Sequence, residues 1–297
     1  MNGTASSRPA VVVVGASRGI GRAIAKVAAR EQCPVVLAAR APDALAAVAG
    51  EVRAAGGEPF ILEIDLFTAA APKRLQAYLE SVDLYCDVLV NSAGYGLRGA
   101  ATLLPADEQI GMVDVNIRAL SDMTLHFLPA MCARKRGGVL NLGSIASFTP
   151  GPGMAMYYAT KGFVRSFSEA LHEEVRATGV TVTCAAPGPV ATEFLQRSGA
   201  GRSMLFKVLP RLDADYVAER AWRGFRSGRR LVVPGISAKL AAFTASVIPH
   251  MLLLPLIGKL QRRSGDPCPC GSGKRYSECC GKRGAGRRAG RISSAKS

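Results

Sequence analysis

The sequence lacks the features of an exported protein. Its first apolar run, Val11–Val14, is too short for the core of a signal peptide, and no cleavage-like pattern follows it. No long polar tract occurs before residue 261, and 48% of the 297 residues are hydrophobic, which excludes a largely disordered chain. This length suits one large domain, or one domain with a small appendage. We therefore expect a folded cytoplasmic protein.

Acidic residues are scarce, with 22 Asp and Glu against 38 Lys and Arg, and the net charge is +16. The imbalance is uneven, because residues 262–297 hold ten basic residues against Asp266 and Glu278, which is half of the excess. The last part, 282–297, is rich in Gly and Ser, and we expect it to be disordered. Such a tail could contact acidic partners, nucleic acid or anionic lipid, or remain solvated without a partner.

Short apolar runs alternate with longer, alanine-rich segments of helical character. The expected strands are Ala10–Val14, Val35–Ala39, Phe60–Ile64, Asp87–Val90, Gly138–Leu142, Val180–Ala185 and Leu231–Val233. The expected helices are Arg22–Ala29, Asp43–Ala54, Pro72–Ser81, Asp107–Arg134, Met156–Ala177 and Asp213–Arg226. The runs are apolar throughout, which predicts parallel strands covered on both faces. The fold class is therefore α/β, a doubly wound parallel sheet in three layers, whose ligands bind beyond the carboxyl ends of the strands.

A glycine-rich turn, Gly15-Ala16-Ser17-Arg18-Gly19-Ile20-Gly21, follows the first strand and leads into a helix. Small residues there let the backbone approach a pyrophosphate, and the N-terminus of the helix supplies unpaired N–H groups. The spacing G-x-x-x-G-x-G differs from the common dinucleotide fingerprint, and a tight turn alone also favours glycine. Its place after the first strand nevertheless indicates a phosphate site.

The second strand ends at Ala39-Arg40, without the carboxylate that commonly binds the ribose hydroxyls of NAD. Arg40 and Arg18 could instead bracket a 2′-phosphate, to which guanidinium groups are well matched. Both could also be ordinary solvated arginines. We expect NADP rather than NAD.

A serine, a tyrosine and a lysine form the candidate catalytic group. Ser144 follows the fifth strand, and Tyr157 and Lys161 are four residues apart on a predicted helix, so they share one face. An ammonium beside a phenol favours the phenolate, which predicts a lowered tyrosine pKa and a usable general acid and base. Such a pair also occurs by chance. Tyr158 is three residues from Lys161 and lacks the four-residue step.

Together these motifs resemble the short-chain dehydrogenase/reductase family, in family order, over roughly residues 9–234. The elements that carry the resemblance are GASRGIG at 15–21, Asn91-Ser92-Ala93-Gly94, Asn116 in VNIRA, Ser144, Tyr157, Lys161 and PGPVAT at 187–192. The resemblance implies a Rossmann-like fold and reversible hydride transfer between nicotinamide and a small-molecule carbonyl compound or alcohol. Ala16 and Ser92 depart from the family pattern, but they are small residues at positions where the family commonly has other small residues.

The resemblance also implies the roles of individual residues. Tyr157 would exchange the proton, and Lys161 would hold the ribose hydroxyls and tune Tyr157. Ser144 would orient the carbonyl, and Asn116 would anchor a water relay. The expected cofactor-binding set is Gly15, Ser17, Arg18, Gly19, Ile20, Gly21, Arg40, Asp65, Leu66, Asn91, Ala93, Gly94, Tyr157, Lys161, Pro187, Gly188, Val190 and Thr192. Family members are commonly dimers or tetramers, so we expect a homo-oligomer.

Two segments near the C terminus of the family match bear on the substrate. Residues 193–212 contain glycines and an apolar middle, and they are expected to form a mobile lid. Residues 240–258 contain no charged side chain, but Pro249, His250 and Pro255 interrupt them. This apolar segment could be a wall of the substrate pocket, a membrane-surface element or a subunit interface, and a true membrane span is disfavoured. The first two alternatives indicate a lipophilic substrate, and the second leaves peripheral membrane association open.

Four cysteines are clustered in the C-terminal segment as C-x-C and C-C pairs, Cys268, Cys270, Cys279 and Cys280. Four thiolates at the ends of a short hairpin suit tetrahedral, structural Zn²⁺, and disulfides are disfavoured in a chain without an export signal. The segment resembles the SEC-C motif, a zinc-binding tail found on many unrelated proteins. The resemblance implies these four cysteines as zinc ligands.

These observations predict four segments: a catalytic domain at 1–235, an apolar extension at 236–263, a zinc knuckle at 264–281 and a basic tail at 282–297. The leading function is that of an NADP-dependent oxidoreductase. One alternative is an NADP-binding scaffold or sensor protein that acts through its knuckle and tail. Another is a nucleic-acid-binding protein with a vestigial enzyme domain.

Overall fold

The computed structural model describes residues 7–199, 210–262 and 265–282. It confirms the predicted fold class, because seven parallel strands form one sheet in the order β3-β2-β1-β4-β5-β6-β7. The strands are β1 (Arg8–Val14), β2 (Pro34–Ala39), β3 (Glu58–Glu63), β4 (Leu84–Asn91), β5 (Gly138–Leu142), β6 (Thr181–Ala185) and β7 (Leu231–Val232).

Helices cover both faces of this sheet and extend beyond its last strand. They are α1 (Gly19–Ala29), α2 (Pro42–Ala54), α3 (Ala71–Ser81), α4 (Ala106–Val113), α5 (Leu120–Arg134), α6 (Ala155–Glu174), α7 (Glu193–Arg197), α8 (Ala214–Arg226), α9 (Ile236–Val247) and α10 (His250–Gln261). The order of strands reverses between β1 and β4, which is where a doubly wound sheet opens a crevice for ligands.

The helical stretch expected over 107–134 is present, but its middle is wider than a regular α-helix. Helices α4 and α5 are joined by a π-helical segment, Asp114–Ala119, which contains Asn116. Inside this segment the Asn116 amide donates to the Tyr95 carbonyl oxygen at 2.9 Å and accepts from the Tyr95 N–H at 3.1 Å. A widened turn of this kind commonly marks a functional position, because it redirects one side chain out of the regular helix.

The core lies in two layers because successive residues of a strand point to opposite faces. Val11 and Val13 pack in the cluster that includes α1, α2 and α8. Val12 and Val14 pack in the cluster that includes α3 and α5. This explains why most strand positions are apolar instead of alternating with polar ones, and it leaves the carboxyl ends of the strands as the open edge of the sheet.

Beyond β7 the chain forms α9 and α10, each twelve residues long. Within the described residues, no helix combines the length and the apolar character needed to cross a bilayer. In the segment expected to be a lid, Glu193–Arg197 is helical and Leu212 exchanges backbone hydrogen bonds with Pro189 and Ala191. The middle of that segment, 200–209, and most of the basic tail, 283–297, lie outside the described residues.

Candidate active site

Helix α6 places Tyr157 and Lys161 at the carboxyl ends of β4 and β5. Both side chains are buried, and the Lys161 Nζ donates to the Leu142 carbonyl oxygen at 2.7 Å. The Tyr157 ring packs against Phe194 of α7, with ring centroids 5.4 Å apart. A four-residue step on one helix thus puts the phenol and the ammonium in one enclosed site, as their spacing predicts.

Ser144 lies just beyond β5, and its hydroxyl is close enough to that of Tyr157 to act on the pKa of the phenol. Its own Oγ also accepts from the Ala146 N–H at 3.1 Å, which caps the short turn Ile145–Phe148. This cap fixes the Ser144 side chain, so that its hydroxyl faces the phenol rather than rotating freely. The arrangement directs two hydroxyl groups toward the same small volume of the cleft.

The pKa of Tyr157 differs from the lowered value that the sequence predicts. Burial raises the pKa of the Tyr157 phenol above its ordinary value, while the Ser144 hydroxyl acts in the opposite direction. Burial also lowers the pKa of Lys161 to about 8. The Lys161 Nζ is hydrogen-bonded to the Leu142 carbonyl oxygen and lies 5.9 Å from the Tyr157 ring centroid. Its attraction for a Tyr157 phenolate is therefore outweighed by the burial of the Tyr157 hydroxyl, which favours the neutral phenol. Tyr157 is therefore a protonated donor in the chain alone.

The Asn116 amide and the Lys161 ammonium both lie close to the backbone of Gly94. A Cβ built on Gly94 would lie 2.9 Å from Asn116 Oδ1 and 3.6 Å from Lys161 Nζ. The Asn116 amide also donates to Thr160 Oγ1 at 3.0 Å, which ties the π-helical segment to α6. Asn116 itself does not line the cleft, so it contacts the site through the backbone of residues 94 and 95.

The glycine-rich turn after β1 forms a cradle with room for a pyrophosphate. Gly15 has a φ of +88°, and a Cβ there would lie 2.5 Å from the Ala93 backbone nitrogen. Helix α1 begins at Gly19 with no side-chain cap and no acidic residue in its first turn. Its first N–H groups thus point into the cleft with the positive end of the helix dipole, which suits a phosphate.

Two arginines stand at the end of the cleft expected to hold the 2′-phosphate. Arg40 is exposed after β2, with its guanidinium 5.8 Å from the centroid of the Phe67 ring. Arg18 forms an ion pair with Glu193 at 2.8 Å. Asp65 accepts from the Phe67 N–H at 3.0 Å, which holds the turn beside them. The two cations suit the extra phosphate of NADP, because guanidinium groups form charge-assisted hydrogen bonds with phosphate oxygens.

The structure brings nearly all of the predicted cofactor-binding residues to one cleft of about 610 Å³. The exceptions are Gly21 and Asn91. Gly21 lies beneath the turn, where a Cβ would be 2.2 Å from the Gly15 carbonyl oxygen. The buried Asn91 amide donates to Thr124 Oγ1 and Asn141 Oδ1, so it ties β4 to its neighbours rather than facing the cleft.

The apolar and aromatic side chains at the other end of the cleft were not assigned to it from the sequence, although Phe194 and Leu195 lie in the segment expected to be a lid. These residues are Tyr95, Leu97, Ile145, Tyr158, Phe194 and Leu195. They come from four separate segments, so no local spacing reveals them. The Tyr158 hydroxyl accepts from Gln261 Nε2 of α10 at 3.0 Å, and this contact brings the C-terminal extension to the wall of the cleft.

The four cysteines of the C-terminal segment converge, as their spacing predicts, with all four Sγ atoms within 4.8 Å of one another. Tetrahedral Zn²⁺ with bonds of about 2.3 Å would hold its sulfur ligands about 3.8 Å apart, so the cluster fits this ion. Hydrogen bonding with Cys268 and the neighbouring thiols raises the pKa of Cys280 to about 12. A divalent cation would offset this cost of placing four thiolates together.

Arg98 connects this cysteine cluster to the catalytic cleft. Its guanidinium donates to the Gln261 carbonyl oxygen at 2.7 and 3.1 Å and forms an ion pair with Asp266, just before the cluster. Its backbone N–H donates to the carbonyl oxygen of Ser198, a residue of the cleft wall. Nearby, Thr102 Oγ1 donates to the Pro269 carbonyl oxygen at 3.4 Å. One arginine therefore joins the cleft wall, the end of α10 and the cysteine cluster.

Known proteins share both the fold and the motifs of this chain. Serine 3-dehydrogenase from Rhizobium radiobacter is 35% identical over 213 residues, which cover 70% of this chain and 84% of the relative. A very-long-chain 3-oxoacyl-CoA reductase from Coprinopsis cinerea is 39% identical over 175 residues, which cover 58% of this chain and 51% of the relative. The chain thus spans about half the length of that reductase.

Structural comparison agrees with these sequence matches. A short-chain dehydrogenase from Sphingobium yanoikuyae, solved in complex with NADPH, superimposes with a TM-score of 0.70 at 28% identity, covering 80% of this chain and 93% of the other. The SEC-C motif matches residues 266–282, around the cysteine cluster. The short chain dehydrogenase model matches residues 9–203, which include the cradle, Ser144, Tyr157 and Lys161. This protein is therefore an oxidoreductase of the short-chain dehydrogenase/reductase family that carries a C-terminal SEC-C motif.

Proposed function

We propose that this enzyme binds NADP(H) and transfers hydride reversibly between the nicotinamide and a lipophilic carbonyl compound or secondary alcohol. One observation carries the proposal. A buried phenol, next to Ser144 and one helical turn from Lys161, opens on a cleft that continues to the glycine cradle. Hydride donor, proton donor and carbonyl group can therefore meet at one point, as the reaction requires.

The phosphates of the cofactor would lie at the cradle, against Gly15 and the N-terminus of α1. Arg40 and Arg18 would bind the 2′-phosphate, with Arg18 exchanging its ion pair to Glu193 for the phosphate. NADPH in the related Sphingobium structure supports this preference for the phosphorylated cofactor. When bound, the cofactor supplies the hydride, and the residues of this chain supply orientation and the proton.

Tyr157 and Ser144 would act on the oxygen atom of the substrate. In the direction of reduction, the carbonyl carbon gains a hydride while the Tyr157 hydroxyl gives its proton to the carbonyl oxygen, which produces a neutral alcohol. The Ser144 hydroxyl donates to the same oxygen and holds it in line with the phenol. Both donors stabilise negative charge that develops on the oxygen, so their effect is greatest at the transition state.

Lys161 and Asn116 would position the reacting groups. Lys161, hydrogen-bonded to the Leu142 carbonyl oxygen, would contact the ribose hydroxyls of the cofactor, and its positive charge would stabilise the phenolate that forms when Tyr157 gives up its proton. Asn116 was expected to anchor a water relay. We keep this role as part of the proposal, and the hydrogen bonds of the Asn116 amide to the Tyr95 backbone and to Thr160 would hold the residue in position for it.

The apolar wall of the cleft favours a lipophilic substrate. Side chains of Tyr95, Leu97, Ile145, Phe194 and Leu195 surround the end of the cleft beyond Tyr157. Burying an extended hydrocarbon there gains free energy in proportion to its area, whereas a small polar ketone would gain little. The name of the Coprinopsis relative, a reductase of very-long-chain 3-oxoacyl-CoA, supports the same substrate class.

The proposal also covers the other segments of the chain and the assembly of the protein. We assign 1–235 to the catalytic domain, 236–263 to an extension, 264–281 to a structural zinc knuckle and 282–297 to a basic tail. Zinc at Cys268, Cys270, Cys279 and Cys280 would be structural, since four protein ligands leave no open position for a substrate. The assembly would be a homo-oligomer.

A substrate screen tests this function. The full-length protein is mixed with NADPH or NADH and with ketones of increasing chain length, and cofactor oxidation is followed by its absorbance. We expect turnover with NADPH, weaker turnover with NADH, and a kcat/KM that rises with chain length. Absence of turnover together with tight NADPH binding would instead favour the scaffold alternative.

A further inference from the structure

Helices α9 and α10 present a large apolar surface to solvent. Seven side chains, each between 54% and 87% exposed, form what we call the C-terminal apolar face. They are Ile236, Leu240, Phe243, Val247, Met251, Leu252 and Leu256. The large hydrophobic side chains exposed outside 236–256 are scattered through the described chain and reach at most 57% exposure. Several large apolar side chains exposed on two consecutive helices commonly mark a site of interaction.

The spacing of these residues shows that the face is built into the helices. Ile236, Leu240, Phe243 and Val247 recur at intervals of four, three and four residues, which places them along one side of α9. Ala238 and Ala242 on the opposite side are buried. Helix α9 is therefore apolar on two sides, of which one packs on the domain and the other faces solvent.

Helix α10 repeats this division. Leu253, Ile257 and Gln261 follow one another at intervals of four residues and are buried. Met251, Leu252 and Leu256 are exposed on the other side. Both helices thus use one apolar stripe for folding, and the second stripe contributes nothing to the core.

The charge around this face indicates its partner. Between Arg220 and Gly265 there is no Asp or Glu, while nine residues are Lys or Arg. Lys239 and Lys259 are both exposed on the two helices that carry the face. Apolar side chains bordered by basic ones match a bilayer surface with anionic headgroups. A second copy of the chain fits less well, because pairing two such faces would bring like charges together.

The position of the two helices connects this face to the catalytic cleft. Ala238 lies close to Gly188, where a Cβ would be 3.2 Å from the alanine methyl group, and Gly188 lines the cleft. At the end of α10, Gln261 bonds to Tyr158 of the cleft wall. The buried sides of both helices therefore pack against the wall of the cleft, while the C-terminal apolar face lies on their exposed sides.

We propose that the C-terminal apolar face inserts into the surface of an anionic bilayer, with α9 and α10 lying in the plane of the membrane. Each helix is about 18 Å long, which suits in-plane binding. The apolar side chains would reach the acyl chains, and Lys239 and Lys259 would contact the phosphates. This inference concerns binding to lipid and is independent of the catalytic assignment.

Vesicle co-sedimentation of the full-length protein tests the proposal. The vesicles contain phosphatidylcholine alone or with about 30% phosphatidylglycerol, a fraction that gives a substantial negative surface potential. We expect binding to the anionic vesicles, weakened about fivefold for each lysine replaced in Lys239→Gln and Lys259→Gln. Replacing Leu252 by Asn should weaken binding about tenfold, because one large apolar side chain no longer inserts.

A matched control separates this face from general hydrophobicity. Leu125 on α5 is 54% exposed, and Leu125→Asn makes the same chemical change on a different surface. We expect this variant to bind vesicles as the wild type does. NADPH binding by each variant, measured by fluorescence, verifies that it is folded.

Three results would overturn the proposal. The wild-type protein could remain in the supernatant with both kinds of vesicle. Leu125→Asn and Leu252→Asn could weaken binding equally. Sedimentation velocity could show that Leu252→Asn dissociates an oligomer while vesicle binding is unchanged, which would identify the face as a subunit interface.

Discussion

Replacing Arg98 by Ala tests how the C-terminal region is held against the cleft. The Arg98 side chain is only 10% exposed, and it joins the Gln261 carbonyl oxygen to the Asp266 carboxylate. These bonds connect residues more than 160 positions apart in the chain. Their loss should loosen α10 and the cysteine cluster while the sheet remains folded.

The structure sets the size of this effect. Breaking a fully buried ion pair costs about 3–5 kcal/mol, but Asp266 is 29% exposed and water would replace part of the lost interaction. We therefore expect a cost of about 2–3 kcal/mol, which raises the open fraction of the C-terminal region roughly 30- to 150-fold.

Hydrogen exchange measured by mass spectrometry provides the assay. Peptides from 250–262 and 266–282 should exchange faster in Arg98→Ala, whereas peptides from β1 and β4 should be unchanged. Arg176→Ala is the control, because the Arg176–Glu173 ion pair is highly exposed and its loss should have no measurable effect. Equal exchange in Arg98→Ala and the wild type would refute the connection described above.

Three further predictions concern the cofactor, the buried lysine and the metal. Arg40→Ala should weaken NADP⁺ binding about tenfold and leave NAD⁺ binding unchanged in fluorescence titrations, because one charge-assisted bond to the 2′-phosphate is lost. Equal effects on both nucleotides would contradict this. Burial lowers the pKa of Lys161 to about 8, below its pKa in the unfolded chain. The buried ammonium therefore reduces the free energy of unfolding by its full amount below about pH 8, and this penalty decreases as the pH rises toward the pKa of the unfolded chain. Denaturant titrations should therefore show the wild type gaining about 2 kcal/mol relative to Lys161→Met between about pH 7.5 and pH 9.5; a constant difference would count against a buried ammonium. Elemental analysis should find zinc bound to the wild type and much less bound to Cys279→Ser, with the NADPH affinity unchanged; equal zinc content would exclude the knuckle.

The sequence was sufficient to predict the sheet because the strands consist mainly of apolar residues without a regular polar alternation, and each is followed by a helical segment. The same regular sequence pattern gives no indication of the π-helical segment at Asn116. The sequence of 107–134 predicts one helix, and the wider turn at Asp114–Ala119 is seen only in the backbone of the structure, where Asn116 contacts the Tyr95 backbone.

The site was predicted as a set of residues but not in its electrostatics. The spacing of Tyr157 and Lys161 places them on one face, but it does not specify that Nζ bonds to Leu142. It also does not specify the depth of burial, which raises the pKa of the phenol. Arg98 could not be assigned from sequence either, because Gln261 and Asp266 approach it only after the whole chain has folded.

The central claim is that the Tyr157 hydroxyl supplies the proton for carbonyl reduction, and Tyr157→Phe tests it most directly. The change removes one oxygen atom and retains the ring that packs against Phe194. We predict that kcat for the best ketone falls by about 10²- to 10⁴-fold while the Kd for NADPH changes less than about twofold. A variant that binds NADPH normally and retains a kcat close to that of the wild type would contradict the account.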